Sequence, residues 1–268
     1  MHFRRWITSI IALPFLILLI FKGSLPLFSL FIGIACIIAL WEYFNIVYHQ
    51  QNMEKKDSLV LFSYIAGPMI IWAAYKGSHM LILAMVSLNF LAVGSIGLFK
   101  FKRDKKVLEK IAKEVLGIIY IPLFLAFLVL IRHKNHGGAW IFWILCLVFI
   151  GDTMAFYVGS YFGKHKLMPA VSPKKTIEGS LGGLAGNICI GVLMKILFIP
   201  HISWGMIVVF ALAVGIAGQA GDLFESILKR SVNIKDSGVI IPGHGGLLDR
   251  IDALLFAAPL ACIFTTYL

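Results

Sequence analysis

The chain has 268 residues, of which 60% are hydrophobic and 14% charged, with a mean hydropathy of +0.91. That composition excludes an ordinary soluble globular domain and suits a single membrane domain. The formal net charge of +11 raises a nucleic-acid reading. The Lys and Arg residues sit in short loops between apolar runs, however, where topology and anionic lipid headgroups account for them, so no nucleic-acid partner is expected.

A bilayer span takes about 20 apolar residues, within a range of roughly 17–25. By that measure the sequence predicts an all-α, polytopic membrane protein with about nine spans: 7–21, 25–47, 59–75, 80–99, 115–131, 139–163, 180–199, 204–228 and 249–267. They form one transmembrane domain over 1–268, with N-terminal helices to about residue 99 and the chemistry-bearing helices and loops over about 115–268. The opening MHFRRWITSIIALPFLILLIF resembles a signal peptide, but no small-residue cleavage site follows. It is expected to remain as a short first span, tilted against the second. With the N-terminus placed inside, 18 of the 24 Lys and Arg fall on inner segments and 4 on outer loops. This bias predicts a cytoplasmic N-terminus. Cys36, Cys146, Cys189 and Cys262 lie singly in apolar runs, which predicts buried, reduced thiols.

Along the chain, Glu42 falls near the inner end of the second span and is expected to reach the interface. The basic segment KFKRDKKVLEKIAKE, residues 100–114, reads either as an amphipathic surface helix on anionic lipid or as a topology anchor alone. Small residues then recur every four positions at Gly151, Ala155, Gly159 and Gly163, and again at Gly179 and Gly183 and at Gly182 and Gly186. Such faces let membrane helices approach closely. Asp152 interrupts one of these spans, and an ionisable residue inside a membrane marks function by default.

The segment VSPKKTIEGSLGG, residues 171–183, offers Ser172 and Pro173 as a helix start. Lys174 and Glu178 would then lie one turn apart and able to pair. Lysines at a helix N-terminus oppose the helix dipole unless an anion is bound, so a phosphate site and a solvated loop both fit here. Asp222, Ser226 and Lys229 share a face at i, i+4 and i+7. Asp249 and Asp252 share another at the inner end of the last span. Three helices therefore aim carboxylates at the cytoplasmic half of the bilayer.

Hard carboxylates without clustered His or Cys point to an oxygen-loving cation such as Mg²⁺, and the neighbouring Lys and Arg point to phosphates. Together they are equipment for phosphoryl or nucleotidyl transfer. The turn at His244, Gly245 and Gly246 lets backbone N–H groups approach a ligand. No phosphate-binding GxxxxGK[ST] loop or GxGxxG fingerprint is present, so a nucleotide would sit in a cleft between membrane helices.

At this point the pattern resembles a known family. Ser226-x-x-Lys229-Arg230-x4-Lys235-Asp236, then Pro242-Gly243-His244-Gly245-Gly246, then Asp249-Arg250-x-Asp252 resemble the signature of bacterial phosphatidate cytidylyltransferases, also called CDP-diacylglycerol synthases. Gly151-Asp152 and Ser172-Pro173-Lys174-Lys175-Thr176-x-Glu178-Gly179 are similar to that family too. The resemblance implies transfer of the cytidylyl group of CTP to phosphatidate, with Mg²⁺ and release of pyrophosphate. It also implies a multi-pass protein of the cytoplasmic (inner) membrane that forms a homodimer.

On that basis Asp222 and Asp249 are the leading metal ligands, with Asp152 and Asp252 as secondary ligands and a second metal ion left open. Lys174, Lys175, Lys229, Arg230 and Lys235 are assigned to the CTP and lipid phosphates. Ser172, Glu178, Ser226, Asp236, Gly245 and Gly246 are placed in the binding site. Arg250 is expected to pair with Asp222 or Asp252, and His244 either to donate to a phosphate or to assist the leaving group. Two rival classes fit parts of the pattern: a CTP-dependent polyprenol kinase, and a cation-coupled transporter, which should place charge near the midplane and open to both sides.

Overall fold

The computed structural model describes residues 13–49, 57–200, 202–238, 240 and 245–267. Residues 13–21 are helical, and the earlier part of that expected span lies outside the described residues. The chain then runs through α1 (Leu25–Val47), α2 (Ser58–Tyr75), α3 (His79–Lys100) and α4 (Val107–Ile118). A π turn (Ile119–Leu123) leads into α5 (Phe124–Arg132), followed by α6 (Gly137–Phe162). A hairpin of β1 (Lys166–Met168) and β2 (Ser172–Thr176) comes next, then α7 (Ile177–Leu197), α8 (Trp204–Ser231) and α9 (Leu248–Tyr267). Seven helices among the described residues are long and apolar enough to cross a membrane: α1, α2, α3, the continuous Val107–Arg132 run, α6, α7 and α8. The last helix, α9, adds 20 residues that are apolar after a charged first turn.

Local chemistry sets the helix ends. The Asp57, Ser78, Thr176 and Ser203 side chains accept hydrogen bonds from the N–H groups of Leu59, Leu81, Gly179 and Met206, capping α2, α3, α7 and α8. Pro122 has no N–H to give, and the Val107–Arg132 run absorbs it as a π turn instead of breaking. That run is the centre of the bundle, 67% buried against 22% for α3. From it Tyr120 packs edge-on against Phe224 of α8 at 5.0 Å and Phe256 of α9 at 6.0 Å.

The basic 100–114 segment departs from the surface-helix expectation. Helix α3 runs to Lys100, a turn follows, and α4 turns one face inward, with Lys110 and Glu114 buried. Their polar ends are matched across the bundle. Lys110 pairs with Asp104 at 2.7 Å and Asp57 at 3.6 Å, while Glu114 accepts from Ser63 at 2.8 Å and Asn89 at 3.2 Å.

The small-residue faces behave as expected. A methyl on Gly179 would stand 2.6 Å from the Ala155 carbonyl oxygen, and one on Gly183 would stand 2.8 Å from that of Gly151. Side chains at those two positions would force α6 and α7 apart. Helix α8 joins this pair through mutual hydrogen bonds between Ser180 and Gln219. At one end of the bundle, ion pairs and hydrogen bonds connect the C-terminal end of α1, the starts of α2, α4 and α9, and the ends of α3 and α8.

Candidate active site

The close α6–α7 contact and the hairpin between them frame a cavity of about 390 Å³. Helix α6 contributes Asp152, Ala155, Phe156 and Ser160; the hairpin contributes Leu167, Lys174 and Lys175. Ser180 of α7 and Gln219 and Asp222 of α8 complete the wall. Lys175 pairs with Asp222 at 2.5 Å, and both remain partly exposed to the cavity. Asp152 lies close enough to feel the charges of Asp222 and Lys175. The lining thus mixes two carboxylates and two lysines with the apolar groups of Ala155, Phe156 and Leu167, an amphipathic setting.

A second polar centre joins α8 to α9. Lys229 pairs with Glu225, one turn earlier on α8, and with Asp249 at 2.7 Å. Asp249 also accepts hydrogen bonds from the Ser237 N–H at 3.0 Å and the Gly246 N–H at 2.9 Å. Asp252 is buried beneath this centre and senses Asp222, Lys229 and Asp152. Among the described residues Lys175 pairs with Asp222, and Lys229 pairs with Glu225 and Asp249, while Asp152 and Asp252 lie close by. Carboxylates gathered in this way favour a bound hard cation.

The donors fit Mg²⁺ in the way it usually binds, through one or two carboxylates together with substrate phosphates. Asp152 and Asp222 face the cavity. Asp249 instead spends its oxygens on Lys229, Ser237 and Gly246. Among the described residues no three His, Cys, Asp or Glu side chains converge as a closed metal cage.

The hairpin is pinned at its base. Glu178 in the first turn of α7 contacts the His165 ring Nδ1 at 2.6 Å and accepts from the Lys164 N–H at 3.1 Å and the His165 N–H at 3.2 Å. These contacts fix the strand that delivers Lys174 and Lys175.

A family model described as the cytidylyltransferase family matches residues 3–268. The chain belongs to the cytidylyltransferase family. It is 33% identical over 257 residues to the phosphatidate cytidylyltransferase of Staphylococcus saprophyticus, and 32% identical over 257 residues to those of Staphylococcus epidermidis and Staphylococcus aureus. In each comparison 96% of this chain and 96% of the relative are covered.

In this cytidylyltransferase the expected site residues divide among several places. Lys174, Lys175, Asp152 and Asp222 meet at the cavity, whereas Lys229 and Asp249 form the neighbouring centre. Arg230 is exposed and donates to the carbonyls of Val171 at 3.4 Å and Ile234 at 3.2 Å, tying the end of α8 to the hairpin. Ser226 is half-buried on α8, Lys235 and Asp236 are exposed in the loop after it, and Arg250 is exposed on the first turn of α9. The N–H of Gly246 is committed to Asp249, and Gly245 takes φ +82°, which favours glycine. His244 lies outside the described residues.

Three local expectations are corrected. Ser172 and Pro173 open a strand, not a helix, because pairing with β1 holds the segment extended and the helix waits for its Thr176 cap. Lys174 therefore does not pair with Glu178, whose carboxylate serves the hairpin base. Glu42 does not reach an interface. It is fully buried and accepts hydrogen bonds from the start of α9. Sequence reading also passed over Glu225, Ser180, Gln219, His165 and Ser237. Glu225 carried a signal, standing i, i+4 from Lys229; the others depend on contacts between elements.

Proposed function

We propose that this protein transfers the cytidylyl group of CTP to phosphatidate, giving CDP-diacylglycerol and pyrophosphate. The observation that carries the reading is the cavity whose lining combines Asp152, Asp222, Lys174 and Lys175 with the apolar Ala155, Phe156 and Leu167. The charged groups suit phosphates and the apolar groups suit a lipid, which is what joining a nucleotide to a lipid phosphate requires. An oxygen of the phosphatidate phosphate attacks the α-phosphorus of CTP. The new P–O bond forms as the bond to the β-phosphate breaks, and pyrophosphate leaves with that electron pair. A phosphate monoester is already anionic, so no strong general base is needed.

The difficulty is bringing two polyanions together. Lys174 and Lys175 offset their charge from the hairpin, and Arg230 and Lys235 add positive charge at and after the end of α8. Asp152 and Asp222 are the residues that would hold Mg²⁺, with Asp252 behind them and Asp249 orienting Lys229. Bound Mg²⁺ supplies charge neutralisation on the phosphate oxygens. Lys175, beside Asp222 at the cavity, is the lysine that would contact a phosphate held there. The bias of Lys and Arg toward one set of loops supports a site facing the cytoplasm of a cell membrane, where CTP is available. A homodimer remains part of the proposal on family resemblance.

The test is product analysis. Purified protein with labelled CTP, phosphatidate and Mg²⁺ should yield labelled lipid and free pyrophosphate. Release of CDP with an unlabelled phosphorylated lipid would instead identify a CTP-dependent lipid kinase.

A further inference from the structure

Glu42 lies on α1, far in sequence from the signature and outside the cavity wall, yet it is 0% exposed. Its oxygens accept hydrogen bonds from the Leu247 N–H at 2.9 Å, the Leu248 N–H at 2.7 Å and the Ser237 hydroxyl at 3.2 Å. The first N–H groups of a helix lack partners within it and carry the positive end of its dipole. A cap normally comes from the residue just before the helix. Here α9 receives it from a glutamate on another helix.

The same few residues are gripped from two sides. The N–H groups of Ser237 and Gly246 donate to Asp249 at 3.0 and 2.9 Å. On the opposite side the Ser237 hydroxyl donates to Glu42. A methyl added to Gly246 would stand 2.6 Å from Glu42 Oε2, and one on Gly238 would stand 2.6 Å from Oε1. Asp249 in turn holds Lys229.

We propose that Glu42 is a positioning residue for the transfer reaction. As the distant cap of α9, it holds Ser237 and Gly246 where they orient Asp249, and through Asp249 it sets Lys229. Without the cap, the donors to Asp249 lose their second anchor, and the Lys229–Asp249 pair loses its geometry. The inference rests on the transferase reading above for its catalytic consequence, but the cap itself does not.

The experiment uses the full-length protein in detergent. Glu42→Gln keeps the shape of the side chain but places an N–H₂ group against N–H donors. Turnover should fall about 30-fold, while the KM for CTP and phosphatidate rises no further than it does in Lys229→Ala, because Glu42 reaches the substrates only through Lys229. Added to Asp249→Asn and measured on the residual activity, Glu42→Gln should cost no more than about threefold further, since both changes act through one loop. Amide exchange at Leu247 and Leu248 should rise at least about tenfold, with α7 unchanged.

Normal turnover, or losses that multiply in the double variant, would overturn the positioning role. Unchanged exchange would overturn the cap, whatever becomes of the transferase reading. Wild-type protein without transferase activity would defeat that reading and the positioning role with it, leaving the exchange result to decide the cap alone. If Glu42→Gln does not fold, Ser237→Ala carries the test, with turnover expected to fall about threefold and Gly246 exchange to rise. No change in either would overturn the proposal.

Discussion

Two polar clusters lie at the same end of the bundle and use the same residue types, but their charges face different things. In the α2–α4 cluster Asp57 pairs with Lys100 and Lys110, Asp104 pairs with Lys110, and Glu114 is bonded to Ser63 and Asn89. These groups spend themselves on one another and hold three helices together. In the α6–α8 cluster, Asp152 and Asp222 line a volume of about 390 Å³ with Lys174 and Lys175. The contrast teaches that buried charge alone does not make a site. A site needs charge facing a space of ligand size, beside apolar surface.

The largest effect should come from the cavity carboxylates. Asp222→Asn and Asp152→Asn should each leave a monodisperse protein in detergent and lower kcat/KM for CDP-diacylglycerol formation by about 100-fold or more, since Asn keeps the shape but not the charge that holds a hard dication. A folded Asp222→Asn protein with near-normal turnover and unaltered Mg²⁺ dependence would move the metal site elsewhere.

The two lysine roles sharpen the contrast within the site. Lys175→Ala should raise the KM for CTP or phosphatidate about tenfold with little change in melting temperature, because its side chain is partly exposed and one phosphate contact is lost. Lys229→Ala should also destabilise, by about 3 kcal/mol, because Glu225 and Asp249 lose their shared cation in a buried setting. Thermal unfolding of both variants decides this, and equal melting temperatures would erase the distinction.

The α2–α4 cluster should respond differently. Glu114→Gln is expected to keep turnover within about twofold of the wild type and to cost about 1 kcal/mol of stability, the ordinary scale of a hydrogen bond. A large loss of activity with stability intact would extend the site into α2–α4.

The smallest effect is a pH dependence. Burial pushes the Asp57 carboxyl upward, but the Lys100 hydrogen bond, the Leu59 N–H and Lys110 outweigh it and hold the group below the usual carboxylate range. A group depressed in the folded state contributes stability that is complete above its unfolded pKa, near about 3.9, and is lost as pH falls through the folded value. Melting temperature should therefore drop less on acidification below about pH 4 in Asp57→Asn than in the wild type. Parallel curves for the two proteins would remove Asp57 from the acid response.

Much of the candidate site's composition was legible because its parts are local. The spacing of Gly151, Ala155 and Gly159 announces a close helix contact whichever partner is present, and the matched partner repeats at Gly179 and Gly183. Lys174, Lys175, Asp152 and Asp222 stood out as ionisable groups in or beside apolar runs. The hairpin was missed because Ser172-Pro173 suits a helix start as well as a strand, and the deciding interaction is pairing with Lys166–Met168. Lys110 and Glu114 read as surface charge because their partners, Asp57, Ser63 and Asn89, lie on other helices.

The sequence by itself determined the membrane class, the apolar helices, the small-residue contact and the family signature. Each is a property of composition or short-range spacing, and the physics behind it acts within one segment. Only the tertiary structure decided which carboxylates face the cavity and which are consumed by neighbours. The rotation of each helix about its axis settles that, and in an all-apolar setting no amphipathic stripe encodes it. Glu42 makes the point most directly: its bond to the Leu248 N–H joins residues 206 positions apart, and nothing in the span around Glu42 signals a partner until the two ends of the chain meet.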